Sequence, residues 1–315
     1  MAVTSVDVAR RAGVSRSTVS YILNGQGHRF SPETRALVEQ AVEELNYSPH
    51  SAGRTLVRGH SDIVLLIAPL AANADYARLV DLLTARLYEH GLTLLMRSAT
   101  SATKSFATVV SSVQPRAVVS LAALSQSEMR ILAKAGVRTF DAARFTSRVG
   151  GLNETLGGLQ IDHLRERGFE TIRFVRLGPV GQNLLQDARE RGVCARCEEE
   201  GVALGDPITL DEWGELSVQE AQGISPGTGL ACYNDDAAVA VLEAAKEAGR
   251  TVPGELGIVG VDNSVAAARS SPHLSTVGFD YQRIYTYSLE VILTETPPEQ
   301  SNVVIDTFVV QGGTT

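Results

Sequence analysis

Residues 4 to 23 carry the pattern that most restricts how this chain can fold, because they read as two short capped helices joined by a glycine. Thr4 is placed to cap the first helix, with Asp7 three residues later to return the hydrogen bond and to favour the positive helix end. Gly13 suits the sharp turn between the two helices. The inward face of the first helix is predicted from helical spacing to consist of Val8, Ala9 and Ala12.

The second helix of the pair is expected to follow Ser15 as its cap, with an inward face of Val19, Ile22 and Leu23. Its outer face is left with Arg16, Ser17, Ser20 and Tyr21. A helix that packs through an apolar back and is polar outside has the form needed to enter the major groove of DNA. The pair therefore predicts a helix-turn-helix, with an ordinary helical hairpin as the alternative for this stretch alone.

A third helix is predicted from the order Ser31-Pro32-Glu33, which places a cap, a proline at the first helical position and an acid in the first turn. The apolar stripe expected to close a three-helix core consists of Leu37, Val38, Ala41, Val42 and Leu45. Asn46–Pro49 ends this helix, and the short polar segment after it ends in one exposed leucine, Leu56.

Beyond residue 60 the pattern changes to alternating strands and helices. Ile63–Ala68 is a continuous apolar run, as expected of a parallel strand that is covered on both faces. Further strands are predicted at 92–96, 117–122, 137–140, 171–177, 230–233 and 257–261, with helices at 74–90, through Leu132, and at 156–167, 184–201 and 237–249. This alternation predicts an α/β fold of two doubly wound parallel-sheet subdomains with a cleft between them.

Charge is divided unevenly along the chain. The net charge is −8, yet residues 1–60 contain seven arginines and five carboxylates, so the remaining residues carry −10. A local positive excess suits contact with phosphates, while the acidic remainder favours solubility. Because the first part is only weakly basic, one copy is expected to bind DNA poorly and a dimer to be needed. No apolar run is long enough for a bilayer and no secretory leader is visible, so no membrane contact and a cytoplasmic location are expected.

The chain also contains a set of short motifs in a particular order. In the first sixty residues they are Val-Asp-Val-Ala-Arg-Arg-Ala-Gly-Val-Ser-Arg-Ser-Thr-Val-Ser (6–20), Leu-Asn-Gly (23–25), Ser-Pro-Glu-Thr-Arg (31–35), Glu-Glu-Leu-Asn-Tyr-Ser-Pro (43–49) and Arg-Thr-Leu (54–56). Looser motifs follow at 232–238, 252–253, 259–263 and 272–277. In residue type and spacing this set resembles the lactose-repressor (LacI/GalR) family over essentially the whole chain.

The resemblance implies three parts. They are an all-α helix-turn-helix headpiece at residues 1–48, a hinge helix or linker at 49–60, and an effector-binding and dimerisation domain of the periplasmic-binding-protein type at 61–315. Within that domain, the first subdomain is expected at about 61–150 and 278–297, and the second at about 151–277 and 298–315.

The resemblance also implies which headpiece and hinge residues contact DNA: Thr4, Ser15, Arg16, Ser17, Thr18, Ser20, Tyr21, Asn24, His28, Arg29, Ala52 and Leu56. Tyr21 stands where the family often has an arginine, which predicts an altered base preference. Either His28 or Arg29 could reach DNA from a slightly long loop. Leu56 is expected to enter the minor groove as a wedge, the alternative being a linker residue that packs on the core.

Ligands of doubly wound sheets bind beyond the carboxyl ends of the strands, a rule that singles out Asn234, Asp235 and Asp262. The resemblance adds Arg189 and Trp213 as effector contacts. The combination of guanidinium, carboxylate, amide and flat ring suits a polyol. Structural alternatives are a helix cap for Asp235, a solvated helix arginine for Arg189 and a core position for Trp213.

The function implied is that of a transcriptional repressor: a homodimer, with a tetramer left open, that binds a palindromic operator under control of a small-molecule effector, a sugar being expected. The alternatives are an effector-independent regulator with a degenerate cleft, and a sugar-binding receptor. No catalytic set or cofactor motif is visible, so neither an enzyme nor a cofactor is expected. Cys194 and Cys197 are expected to be reduced structural thiols, with a metal or redox site as the weaker alternative.

Overall fold

The computed structural model describes residues 3–47, 55, 58–68, 74–99, 103–148, 151–178, 184–294 and 303–315. Three predicted DNA contacts, namely Ala52, Leu56 and the side chain of Asn24, lie outside this description. Of the predicted hinge, Thr55 and Arg58 are helical, and the backbone NH of Gly59 donates to the Thr55 carbonyl at 2.8 Å. No helix in the described ranges combines the length and apolar character that a membrane span requires.

The N-terminal part consists of three helices, α1 (Ser5–Ala12), α2 (Arg16–Tyr21) and α3 (Pro32–Glu44), as predicted. Their buried contacts form one small core of Val8, Ala9, Ala12, Val19, Val38 and Ala41. Leu37 was expected in this core, but its side chain is 51% exposed. The reason is its position in the helix: the inward stripe begins one residue later, at Val38, and continues at helical spacing through Ala41, Val42 and Leu45.

A four-stranded parallel sheet follows, with strand order β2-β1-β3-β4. The strands are β1 (Ile63–Ala68), β2 (Thr93–Ser98), β3 (Ala117–Ser120) and β4 (Arg138–Asp141). The helices in this region are α4 (Ala74–Glu89), α5 (Thr103–Val113), α6 (Gln126–Lys134) and α7 (Ala142–Arg148). Alternate residues of β1 enter two different cores, Val64 and Leu66 on one face and Leu65 and Ile67 on the other. The sheet is therefore covered on both faces, which explains the unbroken apolar run of β1.

The second sheet has strand order β11-β10-β9-β8-β5-β6, with β7 also paired to β5. Its strands are β5 (Thr171–Arg176), β6 (Ala203–Leu204), β7 (Ile208–Thr209), β8 (Thr228–Cys232), β9 (Leu256–Val261), β10 (Ser275–Phe279) and β11 (Thr307–Val310). Its helices are α8 (Leu152–Glu166), α9 (Leu184–Glu200), α10 (Val218–Gln222), α11 (Asp235–Glu247) and α12 (Val265–Arg269). Among these described strands, only β11 runs antiparallel. Leu230 and Ala231 belong to different cores, so this sheet is also doubly covered and the predicted fold class is confirmed.

The chain passes between the two subdomains more than once. After β10, helix α13 (Tyr281–Leu293) packs on the first sheet, where the ring of Tyr287 stacks on Phe145 at 4.5 Å between centroids. Val303 is still buried in the core of the first subdomain, so the final return to the second subdomain comes later than the expected residue 298. Ile284 and Ile305 contact the cores of both subdomains.

Candidate functional site

The first helix of the N-terminal part is held by a reciprocal cap. Thr4 donates to the Asp7 carboxylate through its backbone NH at 3.0 Å and through its hydroxyl at 2.7 Å. These hydrogen bonds hold the pKa of Asp7 below its ordinary value. Gly13 then turns the chain in the left-handed region at φ 67°, which directs α2 away from α1.

Helix α2 presents a polar surface because its apolar back is buried. The Ser15 hydroxyl caps it by accepting from the Thr18 NH at 3.0 Å, and Val19 is fully buried against the core. Thr18 is half-buried, whereas the outer face is solvent-exposed and comprises Arg16, Ser17, Ser20 and Tyr21. The Arg16 Nε donates to the Ser5 hydroxyl at 3.2 Å, which ties the start of α2 to α1. Four polar side chains of this face, three hydroxyls and one guanidinium, are therefore accessible to a partner.

An aromatic and cationic cluster extends this polar surface beyond α2. A π-helical turn (Ile22–Gln26) leads into a short 3-10 turn that brings the Arg29 guanidinium carbon to 4.9 Å from the centre of the Tyr21 ring. The Arg29 Nη1 also donates to the Gln26 side chain at 3.1 Å. Of the two loop residues proposed to reach DNA, Arg29 is thus the one that the structure joins to the outer face of α2; His28 is exposed nearby.

A cavity of about 350 Å³ lies between the two subdomains. The first subdomain contributes mainly hydrocarbon groups, among them Leu79, Leu82, Leu83, Val119, Leu121 and Phe140. Aromatic rings come from the second subdomain and from the segment that leaves it, namely Tyr233, Phe279, Tyr281 and Tyr285. The polar groups in the lining are Thr146, Asn153, Arg189, Asp262, Gln282 and Ser288. Its size is that of a site for one small molecule.

Arg189 is the one cation in the described lining of the cavity, and 4% of its surface is exposed. Its Nη2 donates to the Asn153 side chain at 2.8 Å and its Nη1 to the Tyr233 carbonyl oxygen. The guanidinium carbon lies 5.0 Å from the centre of the Tyr233 ring. Its Nε is buried and has no hydrogen-bond partner among the described residues. A cation held in this way by neutral groups retains its attraction for an anion.

Two glycines position Arg189 by letting α8 and α9 meet backbone to backbone. A Cβ at Gly157 would lie 2.2 Å from the Arg189 carbonyl oxygen, and one at Gly192 would lie 2.0 Å from the Glu154 carbonyl oxygen. Any side chain at either place would push the helices apart. The close approach therefore fixes the distance between Arg189 on α9 and Asn153 on α8.

Asp262 also lines the cavity, directly after strand β9. Its backbone has φ 113°, a region that non-glycine residues rarely adopt, and its NH donates to the Val277 carbonyl at 2.9 Å. Such a conformation persists only where surrounding contacts hold it, and it is found at binding sites more often than elsewhere. Two of the five predicted effector residues, Arg189 and Asp262, are thus brought together in one cavity.

The other three predicted effector residues do not line the cavity. The Asn234 side chain caps α11 by accepting from the Ala237 NH at 2.9 Å. Trp213 stands in a turn and is 81% exposed, so it is neither a cavity wall nor a core residue. Asp235 is buried, where it accepts from the Ser264 NH at 2.7 Å and the Thr276 hydroxyl at 2.6 Å. Its role is therefore to join neighbouring strand ends.

Burial dominates the titration of Asp235 and raises its pKa to about 7.

Sequence reasoning missed Asn153 and Tyr233, the two residues that hold Arg189 in place. Tyr233 directly follows strand β8, and the rule about strand ends could have found it. Asn153 carries no comparable signal, because an asparagine in the first turn of a helix is commonplace.

The three cysteines are free thiols: Cys194 is exposed, whereas Cys197 and Cys232 are buried. Burial raises the pKa of Cys197 to about 11, so this thiol is protonated at neutral pH. Among the described residues, no three histidine, cysteine or carboxylate side chains come close enough together to hold a metal ion.

Comparison with known proteins gives matches for both parts of the chain. Residues 5–50 match the model of bacterial regulatory proteins of the lacI family, and residues 161–315 match the periplasmic binding protein-like domain. The HTH-type transcriptional regulator DegA of Bacillus subtilis is 26% identical, with 88% of this chain and 86% of DegA covered. The HTH-type transcriptional repressor PurR of Proteus mirabilis is 28% identical, with coverage of 92% and 89%.

The fold has relatives among solved structures. The lac repressor dimer bound to operator and the anti-inducer ONPF superimposes with a TM-score of 0.77 at 22% identity, covering 100% of this chain and 99% of that one. A LacI-family regulator from Silicibacter pomeroyi gives a TM-score of 0.79 at 20% identity, with 99% of both chains covered. The headpiece and the two α/β subdomains thus occur together in the same order in known proteins.

Proposed function

Since this chain belongs to the lacI family of DNA-binding transcriptional regulators, we propose that it acts as a homodimeric repressor. Two copies bind a palindromic DNA site through their headpieces. A small molecule in the cavity between the subdomains controls how tightly that site is held. PurR of Proteus mirabilis is by name a repressor, which supports the same sign of regulation here.

The exposed face of α2 is the observation that carries this proposal. Val19 anchors the helix to the core, while the Arg16 and Tyr21 side chains are exposed on its outer side. This leaves a guanidinium for guanine or phosphate and a phenol ring for a thymine methyl. Arg29, held against Tyr21, adds a second guanidinium at the same surface. We infer that these three side chains select the base sequence.

A dimer is supported by the edge strand β2. Its side chains are largely exposed, and Met96 and Leu95 are 57% and 40% exposed. An apolar edge of this kind is a site for pairing with another chain. Two headpieces related by a two-fold axis would read the two halves of a palindrome, and they would also double the number of phosphate contacts.

Control by a small molecule follows from where the cavity lies. Its walls come from both subdomains, so a ligand contacts both at once. A ligand that binds one arrangement of the subdomains better than another shifts the population toward that arrangement. Because the headpieces are joined to the first subdomain through the hinge, this shift changes affinity for DNA, and DNA changes affinity for the ligand by the same factor.

Selection of bound sequences from random duplexes, followed by titration of the best duplex, tests the proposal. We compare Arg16→Ala with Arg10→Ala, since each removes one positive charge from the headpiece. Arg10 lies on α1, 75% exposed and paired with Asp7, so it serves as the matched control. Arg16→Ala should weaken the selected duplex by about 1–3 kcal/mol relative to an unrelated duplex, whereas Arg10→Ala should weaken both duplexes alike.

Three results would contradict the proposal. One is a purified protein that selects no inverted repeat; another is an Arg16→Ala variant that behaves like Arg10→Ala on both duplexes. The third concerns the direction of regulation: if deleting the gene leaves the promoters beside its selected sites unchanged or less active, the protein is not a repressor.

A further inference from the structure

The walls of the cavity between the subdomains are mostly unable to form hydrogen bonds. Leu83, Val119 and Phe140 cover one side, and Phe279 lies on the other. The Phe279 and Tyr281 rings lie 4.0 Å apart between centroids and form an extended aromatic surface. Such walls favour a ligand whose own surface is flat and apolar.

Several polar groups in the lining are occupied by bonds within the protein. The Ser288 hydroxyl donates to the Tyr285 carbonyl at 2.7 Å, and the Tyr285 hydroxyl donates to the Leu82 carbonyl at 2.9 Å. The Thr146 hydroxyl donates to the Ala142 carbonyl at 2.9 Å. A sugar needs a partner for each of its hydroxyls, and these committed groups offer few, so burial here would cost it affinity.

The Asn153 amide is similarly committed. Its oxygen accepts from Arg189 at 2.8 Å and its nitrogen donates to the Thr146 hydroxyl at 3.4 Å. Asn153 is therefore a support for Arg189, and its side chain has little capacity left for a ligand. The lining thus differs from the polyol site that residue types alone suggested.

Arg189 is the exception, because no described ion pair involves its guanidinium, although the Asp262 carboxylate lines the same cavity. The bonds of this buried guanidinium go to two neutral oxygens, and no described carboxylate forms an ion pair with it. Its Nε has no hydrogen-bond partner among the described residues. A buried cation without a carboxylate in direct contact is costly, and an anionic ligand that contacts it offsets that cost.

We propose that the effector is a small aromatic monocarboxylate, with its carboxylate on Arg189 and its ring against the aromatic and aliphatic walls. The cavity volume of about 350 Å³ lies at the lower end for small-molecule sites and suits one ring with a short side chain. This inference rests on the proposed function, because it names the ligand class for the same cavity.

Calorimetric titration and thermal shift of the full chain test the ligand class directly. The probes are benzoate and 3-phenylpropanoate, each compared with its primary amide, which has the same shape without the charge, and with D-glucose and D-ribose. We expect the carboxylates to bind and to raise the melting temperature. Each amide should bind roughly tenfold or more weakly, because a charge-assisted hydrogen bond is lost, and the sugars should have no effect.

Two variants locate the binding. Arg189→Gln should abolish carboxylate binding. Arg191→Gln should not alter it, because Arg191 is an exposed arginine of the same helix, 64% exposed and paired with Glu154. If Arg189→Gln does not fold, the comparison of acid and amide on the unmodified protein decides the question alone.

Binding of the sugars in preference to the carboxylates, equal binding of acid and amide, or no binding of any probe would each overturn the inference. The proposed function is judged separately from these outcomes, by selection of duplexes without any ligand. If the protein selects an inverted repeat but does not bind the carboxylates, only the proposed ligand class is refuted. If it selects no inverted repeat, the proposed function is refuted as well.

Discussion

Replacing Gly157 by alanine should destabilise the second subdomain, because two helix backbones meet at this glycine. The new Cβ would lie 2.2 Å from the Arg189 carbonyl oxygen and 2.9 Å from the Val193 nitrogen. Both atoms belong to the backbone of α9, so neither can turn aside. Gly158 is the matched control on the same helix, since a Cβ there would meet only the Arg196 side chain, at 3.9 Å.

The expected size of the effect follows from two terms. Both substitutions gain the same helix propensity, about 1 kcal/mol for alanine over glycine, so this term cancels when the variants are compared. What remains is the cost of forcing an atom into a tight contact, about 1–3 kcal/mol. We therefore expect Gly158→Ala to raise the free energy of unfolding slightly. The free energy of unfolding of Gly157→Ala should be lower than that of Gly158→Ala by the cost of the tight contact. In melting temperature this amounts to about 2–4 °C for each kcal/mol.

Urea and thermal unfolding followed by far-UV circular dichroism would measure this difference. Separation of α8 and α9 would also move Arg189, so Gly157→Ala should bind the carboxylate probes more weakly than Gly158→Ala. Equal stability of the two variants would refute the reasoning, because it would mean that the helices do not touch at this glycine.

Three further predictions concern other parts of the molecule. Burial raises the pKa of Asp235 from 3.8 to about 7, because the folded protein favours the protonated carboxyl. The stabilisation from this carboxyl is therefore complete below pH 3.8 and is lost as the pH rises to 7. Asp235→Asn should flatten the dependence of unfolding free energy on pH in that window, by up to about 1.4 kcal/mol per pH unit; an unchanged slope would contradict the assigned pKa. Tyr21→Arg should shift the selected duplex toward guanine at one position in each half-site, and an identical selection would exclude Tyr21 from base contact. Met96→Asp should convert the proposed dimer to monomers in light scattering, because it places a charge on the exposed edge of β2; a dimer of unchanged stability would place the interface elsewhere.

Much of the fold could be predicted because the periodicity of apolar residues is a local signal. The run Ile63–Ala68 coincides with strand β1, and the predicted helix at 184–201 corresponds to Leu184–Glu200. Helix α5 was missed, since its sequence Thr-Lys-Ser-Phe-Ala-Thr-Val-Val-Ser-Ser-Val is rich in β-branched residues and serine. Such residues favour helices weakly, and packing on the first sheet overrides that preference.

The candidate site was less predictable, because its contacts join residues that are distant in sequence. The strand-end rule led to Asp262, and the family resemblance led to Arg189. The rule cannot tell a residue that faces a cavity from one that caps a helix, as Asn234 does. Trp213 was expected at the cavity from its position in the family pattern, yet its turn leaves it in solvent. The character of the lining was equally hidden, since it depends on which hydroxyls are already bonded to the protein.

The late return of α13 to the first sheet has a consequence for synthesis on the ribosome. The face of that sheet that carries Val64, Leu66 and Phe140 is completed by Tyr287 and Ile292, which are translated after all four strands of the sheet. Until then the growing polypeptide lacks these two side chains, and the part of the core that they cover is exposed. Nascent chains of this protein should therefore be clients of ribosome-associated chaperones, and a stop codon shortly before residue 281 should yield aggregates instead of a smaller folded protein.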